Sequence, residues 1–234
     1  MNPGSAWTFL KNASSWQCSY IGEQWFFLPY ILLMLASKWI FGLFDKMNSF
    51  WVLAFCVVIY MGTVVILKYF GVAALGKNMI LFNPFLVFYM LLPFALGYLS
   101  KRECWMERLA ATFDKWHLSK NLIGMVLLVL LCIVRCCTSH QSVDSVYAIA
   151  FVLLFSMVKV GAVPSKTLTF LGKHSMNIWL IHTWICVRLF HEFVFGLHYP
   201  VLMYLFVLLI SIIVSVIVEN IYSVLDRTML CKLK

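Results

Sequence analysis

The sequence predicts an all-α fold, a polytopic transmembrane helical bundle of about seven helices. Three observations predict it. Of the 234 residues, 63% are hydrophobic and only 12% charged, with a mean hydropathy of +0.93, far from the composition of soluble domains. The apolar residues gather in runs long enough to cross a hydrocarbon core of about 30 Å, which takes roughly 20 helical residues. The runs are apolar on every side, whereas a transmembrane β-barrel would alternate polar and apolar positions.

The first run, Trp25 to Phe44, carries Pro29 in its first turns, where proline costs least. The second, Ser49 to Phe70, is unbroken. The third, Met79 to Leu99, contains Pro84 and Pro93; neighbouring helices can satisfy the freed carbonyls, so a kinked helix is expected rather than a break. Leu118 to Cys137, Val146 to Ala162, Met176 to Phe195 and Pro200 to Leu225 complete the set. Lys38, Lys68 and Lys159 stand close enough to run ends to snorkel to the interface. The expected organisation is therefore an extracytoplasmic tail over residues 1–24, a transmembrane domain over 25–225 and a cytoplasmic tail over 226–234. No internal repeat, Gly-rich phosphate loop or low-complexity tract interrupts it. Met1 to Glu23 is polar and does not read as a cleavable leader, so the first run is expected to direct insertion.

Orientation follows from the basic residues. Eleven Lys and Arg fall in the first, third and fifth loops and the carboxy tail: Lys46, Lys101, Arg102, Arg108, Lys115, Lys120, Lys166, Lys173, Arg227, Lys232 and Lys234. The amino tail and the even-numbered loops hold only Lys11 and Lys77, and the other basic residues lie within runs. Positive loops stay cytoplasmic, which places the amino terminus outside and the carboxy terminus inside a cell membrane. The net charge of +9 thus reports topology rather than a nucleic-acid partner; membrane lipid is the expected surrounding. In the third loop, Trp105, Leu109, Phe113 and Trp116 share one side of a helix with basic residues around the rest, the pattern of an interfacial amphipathic segment. An electrostatic contact with a CoA phosphate is the alternative there.

The eight cysteines show no CxxC pair and lie in or beside apolar runs, as small buried apolar residues do, and no metal is assigned. Asn12-Ala13-Ser14 matches a glycosylation acceptor on the predicted outer side.

Ionisable side chains within a bilayer are expensive, which makes each one a candidate for function. His182 leads them. It lies seven residues after Ser175 on the same helical face, and imidazole takes and returns protons near neutral pH. A structural hydrogen bond to a neighbouring helix is the alternative. Arg188 and Glu192 stand four apart, the spacing of a helical ion pair, and open onto whatever cavity forms at that end. Glu219 lies in the last run, with a basic residue such as Lys159 as a partner. Glu23 and Trp25 mark the entry of the first run, where an aromatic belt is expected. A GxSxG elbow is absent, and His140 and Asp144 are too closely spaced for an HxxxxD acyltransferase.

Two segments resemble the acyltransferase 3 family of polytopic O-acyltransferases. Gly22-Glu23-Gln24-Trp25-Phe26-Phe27-Leu28-Pro29-Tyr30 is similar to the family's G-x-x-W-F-L stretch. Leu171-Gly172-Lys173-His174-Ser175-Met176-Asn177-Ile178-Trp179-Leu180-Ile181-His182 is similar to its late L-G-K-x-S-x-x-I-Y-L-x-H segment. Between them, Phe94-Ala95-Leu96-Gly97 resembles an F-x-x-G pattern before a basic loop. The resemblance implies acyl-CoA, with acetyl-CoA the expected form, as cytoplasmic donor. It also implies a sugar or polysaccharide hydroxyl as acceptor at the other face. Its late motif supplies Ser175, Asn177 and His182, and its early motif Glu23 and Trp25. Members of the family carry three further helices ahead of the early motif, with a histidine in the first. The resemblance therefore implies a chain lacking that part, and inactive alone if so. A non-catalytic scaffold of a polysaccharide assembly system and a transporter are the rival readings; a transporter would show broken helices or more intramembrane carboxylates.

Overall fold

The computed structural model describes residues 5–20, 22–115, 119–138 and 141–232, without the side chains of 73, 141 and 227–232. Among the described residues the fold is all-α, with no strand. Trp116 of the expected amphipathic face, His140 and the basic side chains of the carboxy tail lie outside the description.

Two compact units form, 1–18 with 25–159 and 19–24 with 160–234. The first opens with α1 (Ala6–Ala13), whose amino end is capped by Ser5, the hydroxyl accepting from the Thr8 amide. Asn12 is buried, 3% exposed, and its Nδ2 donates to the Thr8 carbonyl at 2.9 Å, so the glycosylation match is not presented at the surface. A 3-10 turn (Gly22–Phe26) leads into α2 (Phe27–Phe44), with Pro29 in its first turn as expected.

Asn48 caps α3 (Ser49–Phe70), accepting from the Phe50 amide at 2.9 Å, and Asn78 caps α5 (Met79–Arg102) in the same way at Ile80. Gly71 ends α3 at φ +76°, a left-handed conformation that only glycine adopts without strain, and the single turn α4 (Val72–Leu75) follows. Pro84 and Pro93 sit within a continuous α5. Phe44, Val52, Cys56, Tyr60, Leu92, Ala95, Leu96 and Leu99 form the core joining α2, α3 and α5, and Phe41 stacks on Tyr98 at 4.4 Å.

Arg102, the last residue of α5, ties this junction. Its guanidinium donates to the carbonyls of Phe44 (2.7 Å) and Met47 (3.1 Å) and to the Ser49 hydroxyl, and it pairs with Glu103. One planar side chain thus satisfies carbonyl groups at the end of α2 and holds the start of α3. The same hydroxyl and guanidinium hold the Glu103 carboxyl below its ordinary value: the Ser49 hydrogen bond acts first, then Arg102. The amphipathic helix α6 (Trp105–Lys115) follows, but its apolar side is partly taken up by protein. Trp105 packs on the core and Phe113 is 8% exposed, while Met106 remains exposed.

α7 (Lys120–Cys137) and α8 (Asp144–Phe155) make a close hairpin. Gly124 allows the approach, since a Cβ there would lie 3.2 Å from Val158 Cγ2 and 3.3 Å from the Leu154 carbonyl. α8 corrects the fifth run: it has 12 residues, about 18 Å, too short to cross a hydrocarbon core. It stops because Ser156 begins a turn, beyond which the Lys159 amide donates to the Asn121 side chain at 2.8 Å.

The second unit contains α9 (Ala162–Trp184), a π turn (Ile185–Leu189), α10 (His191–Gly196) and α11 (Pro200–Lys232). The sixth run is also corrected. Its helix begins 14 residues earlier than expected, at Ala162 rather than Met176, and is interrupted where the Phe190 amide bonds the Ile185 carbonyl, five residues back, at 3.0 Å. The last helix continues through Lys232 rather than ending at Leu225. Five helices of the described chain are long and apolar enough to cross a bilayer: Gly22–Phe44, Ser49–Phe70, Met79–Arg102, Lys120–Cys137 and Pro200–Asp226. The chain is an integral membrane protein.

Candidate functional site

The late segment, Leu171 to His182, lies on α9 and faces α11, which runs antiparallel to it. His174 meets Ser215, while Phe190 and Phe193 beyond the π turn meet Phe206. Polar side chains on this pair fall into two groups with different chemistry.

The first group is closed. His174 is 3% exposed, with Nδ1 2.9 Å from Ser215 Oγ and 3.6 Å from Glu219 Oε2. Asn177 Nδ2 donates to Ser215 Oγ at 3.0 Å, and Lys173 pairs with Glu219. Glu219 therefore finds its cation on α9, at Lys173. A serine–histidine–acid relay needs the hydroxyl and the carboxylate on opposite ring nitrogens. Here both address Nδ1, so the cluster acts as a clamp between helices, and Asn177 belongs to the clamp.

The second group is open. A cavity of about 360 Å³ is lined by Leu171, Ser175, Ile178, Trp179, His182, Tyr204, Val207, Leu208 and Ser211. The sequence reading brought Ser175 and His182 to one face, and both line this cavity. His182 is half-buried, and its Nδ1–H donates to the Trp179 carbonyl at 2.6 Å, which leaves Nε2 as the proton-accepting nitrogen, 3.2 Å from the Thr183 hydroxyl. Ser175 returns its hydroxyl to the Gly172 carbonyl at 2.8 Å. Ser211 is fully buried, and its hydroxyl has no hydrogen-bond partner.

The remaining sequence candidates lie elsewhere. Arg188 falls in the π turn and Glu192 in α10, so the interruption at Phe190 removes the continuous helical register that would have paired them; both are exposed. Trp25 packs edge-on against Tyr89, ring centres 6.4 Å apart, in the first unit, and Glu23 lies in the 3-10 turn before it.

Sequence reasoning missed a second polar centre, inside the first unit. Arg135 Nε lies 2.9 Å from Asp144 Oδ1 across the top of the α7–α8 hairpin, and Arg135 Nη1 donates to the Thr138 carbonyl at 2.7 Å. Arg135 and Asp144, with Cys132, Cys136, Tyr147 and Phe151, line a cavity of about 400 Å³. Nearby, the buried Tyr60 donates to the Ser142 carbonyl at 2.8 Å. The signal was present: opposite charges nine residues apart, flanking the turn between two apolar runs. Among the described residues, no three His, Cys, Asp or Glu side chains are placed to hold a metal ion.

The fold and these centres define an integral membrane protein of α-helices with polar groups buried at helix contacts. Comparison with known protein families, with curated proteins and with solved structures gives no match for the chain.

Proposed function

We propose that the protein acts in acyl transfer at a membrane, with acetyl-CoA or a similar acyl-CoA as donor and a sugar or polysaccharide hydroxyl as acceptor. One observation carries the reading: the segment resembling acyltransferase 3 folds into the wall of an apolar cavity, with His182 Nε2 held as a proton acceptor beside it. A hydroxyl is a weak nucleophile at neutral pH. His182 takes its proton as the oxygen attacks the thioester carbonyl; the C–O bond forms, the C–S bond breaks, and the imidazolium returns the proton to the leaving thiolate. A hydroxyl donor suits the charge that develops on the carbonyl oxygen, and Ser175 on the cavity wall would supply one by turning from the Gly172 carbonyl.

The reading includes a cell-membrane location with the amino terminus outside, supported by Lys46 and the basic residues from Lys101 to Lys120 in the first and third loops against Lys11 and Lys77, since Lys166 and Lys173 lie within α9 rather than in a loop. In a cysteine-free background, Ser14→Cys should react with an impermeant thiol reagent from outside the cell and Lys115→Cys should not; the reverse pattern would overturn the orientation. For the reaction, purified protein is given radiolabelled acetyl-CoA and polysaccharide acceptor. The resemblance alone implies a chain inactive without the earlier helices; because His182 supplies a base within this chain, acetyl transfer is expected instead, lowered about 10²- to 10⁴-fold in His182→Ala. A folded protein that transfers nothing, or a His182→Ala variant as fast as the parent, contradicts the reading.

The Arg135–Asp144 pair in a hairpin with one short helix, together with the interruption after α9, favours transport as the second reading. Solute flux into proteoliposomes that is lost in Asp144→Asn would select it.

A further inference from the structure

Lys11 and Lys77 lie in segments that the proposed orientation places outside the membrane, where lysine and arginine are disfavoured. Far apart in sequence, one in α1 and the other in the turn between α4 and α5, they line the same cavity of about 520 Å³ within the first unit. Arg102, Arg135 and Lys173 each pair with a carboxylate. Among the described residues Lys11 and Lys77 do not, and no Asp or Glu lines their cavity; Lys11 lies over the Trp7 ring at 5.5 Å.

The amino-terminal segment is folded back to make this cavity. Ser15 turns the chain at φ +56°, a conformation that a residue with a Cβ adopts at a cost, and the Gln17 amide closes on the Lys11 carbonyl at 3.1 Å. Asn83 of α5, 6% exposed, donates from Nδ2 to the Trp16 carbonyl at 3.2 Å. These bonds fix the backbone that brings Trp16 and Gln17 into one cavity with residues 76–80.

The side chains decide what kind of group fits. Two ammonium groups without a carboxylate favour an anion. Asn78 commits its Oδ1 to the Ile80 amide at 3.1 Å, which leaves Nδ2 to donate, and Gln17 brings a carboxamide that both donates and accepts. A phosphate group offers only acceptors to that carboxamide, whereas sugar hydroxyls offer donors and acceptors. Trp16, 39% exposed, adds an indole whose negative face suits the slightly positive C–H groups of a sugar ring. An alkyl tail would desolvate four polar side chains here and satisfy none.

We infer that this cavity binds an acidic saccharide, its carboxylate taken by Lys11 and Lys77 and its ring by Trp16. The inference goes beyond the acyl-transfer reading and shares with it only the outward orientation.

The test measures binding of fluorescently labelled tetragalacturonate to the whole chain in phosphatidylcholine nanodiscs. Nanodiscs expose both faces, so a failure to bind speaks against the site and not against the orientation. The methyl-esterified tetramer, with the same rings and no charge, is the control. The acid is expected to bind at least about ten-fold tighter than the ester at about 0.01 M salt and to lose most of that advantage at about 1 M. Lys11→Gln and Lys77→Gln should each weaken the acid about three- to five-fold, while Lys77→Arg retains it. Trp16→Ala should weaken acid and ester alike. Equal binding of acid and ester by the unaltered protein, or no binding of either, overturns the inference, and that arm needs no variant. Unchanged affinity in the double variant Lys11→Gln, Lys77→Gln overturns it as well. Free galacturonate should displace the tetramer at a lower concentration than inorganic phosphate does; the reverse order gives the cavity to a phosphate group, of a lipid head or in solution, and overturns the saccharide. Acetyl transfer is measured on the same preparations. Saccharide binding without transfer contradicts the catalytic reading alone, and transfer without saccharide binding contradicts this inference alone.

Discussion

The Arg102 junction of the first unit and the cavity wall of the second use polar groups in opposite ways. At the junction, the guanidinium is taken up by two carbonyls, a hydroxyl and a carboxylate, and the surrounding core is closed. At the cavity, His182 is half-buried and keeps a proton-accepting nitrogen, while the Ser211 hydroxyl is buried in the wall without a hydrogen-bond partner. Both regions place costly groups in an apolar setting, but only the second sets them in the wall of a cavity. A buried charge in a membrane protein is therefore weak evidence of chemistry until its partners are counted.

The largest stability effect is expected at the closed end of this comparison. Arg102→Met leaves two carbonyls and Glu103 without their cation and should lower unfolding free energy in mixed detergent by on the order of 3 kcal/mol. A loss below about 1 kcal/mol would show that packing alone holds α2, α3 and α5 together. Gly124→Leu should follow, at about 2 kcal/mol, because its side chain must displace Val158 or the Leu154 backbone. A neutral result there would mean that the α7–α8 hairpin separates freely.

Ser215→Ala removes the hub shared by His174 and Asn177. It should cost about 1 kcal/mol, as polar contacts between membrane helices do, and leave acyl transfer intact. Loss of transfer at unchanged stability would move the chemistry from the cavity into the clamp.

The smallest effect concerns pH. Glu103 has its carboxyl lowered by Ser49 and Arg102, so its contribution is present above the unfolded value of about 4.3 and is lost as pH falls through the lower folded value. Acid unfolding followed by tryptophan fluorescence should therefore show a component below about pH 4 that Glu103→Gln removes. An unchanged acid limb in that variant would detach Glu103 from the junction.

The fold class was legible because composition and run length depend on the bilayer and little else. Helix ends at Asn48, Asn78 and Gly71 also follow from local chemistry. Runs five and six misled for a physical reason. Hydropathy registers how apolar a stretch is, not where its backbone bonds close, so neither the turn at Ser156 nor the five-residue bond from Phe190 to Ile185 leaves a hydropathic trace. Of the candidate residues, Ser175 and His182 were brought to one cavity because their spacing along a single helix fixes a common face. His174, Ser211 and Ser215 were not singled out because their roles depend on which residues of α11 lie opposite, and register between two apolar helices is set by side-chain fit. Arg135 and Asp144 were visible as charges, but their pairing required knowing that α8 is short.

The most direct test of the account compares His182→Gln with Ser215→Ala in one assay, measuring single-turnover acetyl transfer from acetyl-CoA in proteoliposomes alongside thermal unfolding of the same samples. The account predicts that His182→Gln loses transfer at least 100-fold with its unfolding unchanged, while Ser215→Ala unfolds earlier and transfers at the parent rate. Full transfer in His182→Gln, with the loss appearing in Ser215→Ala instead, would contradict it.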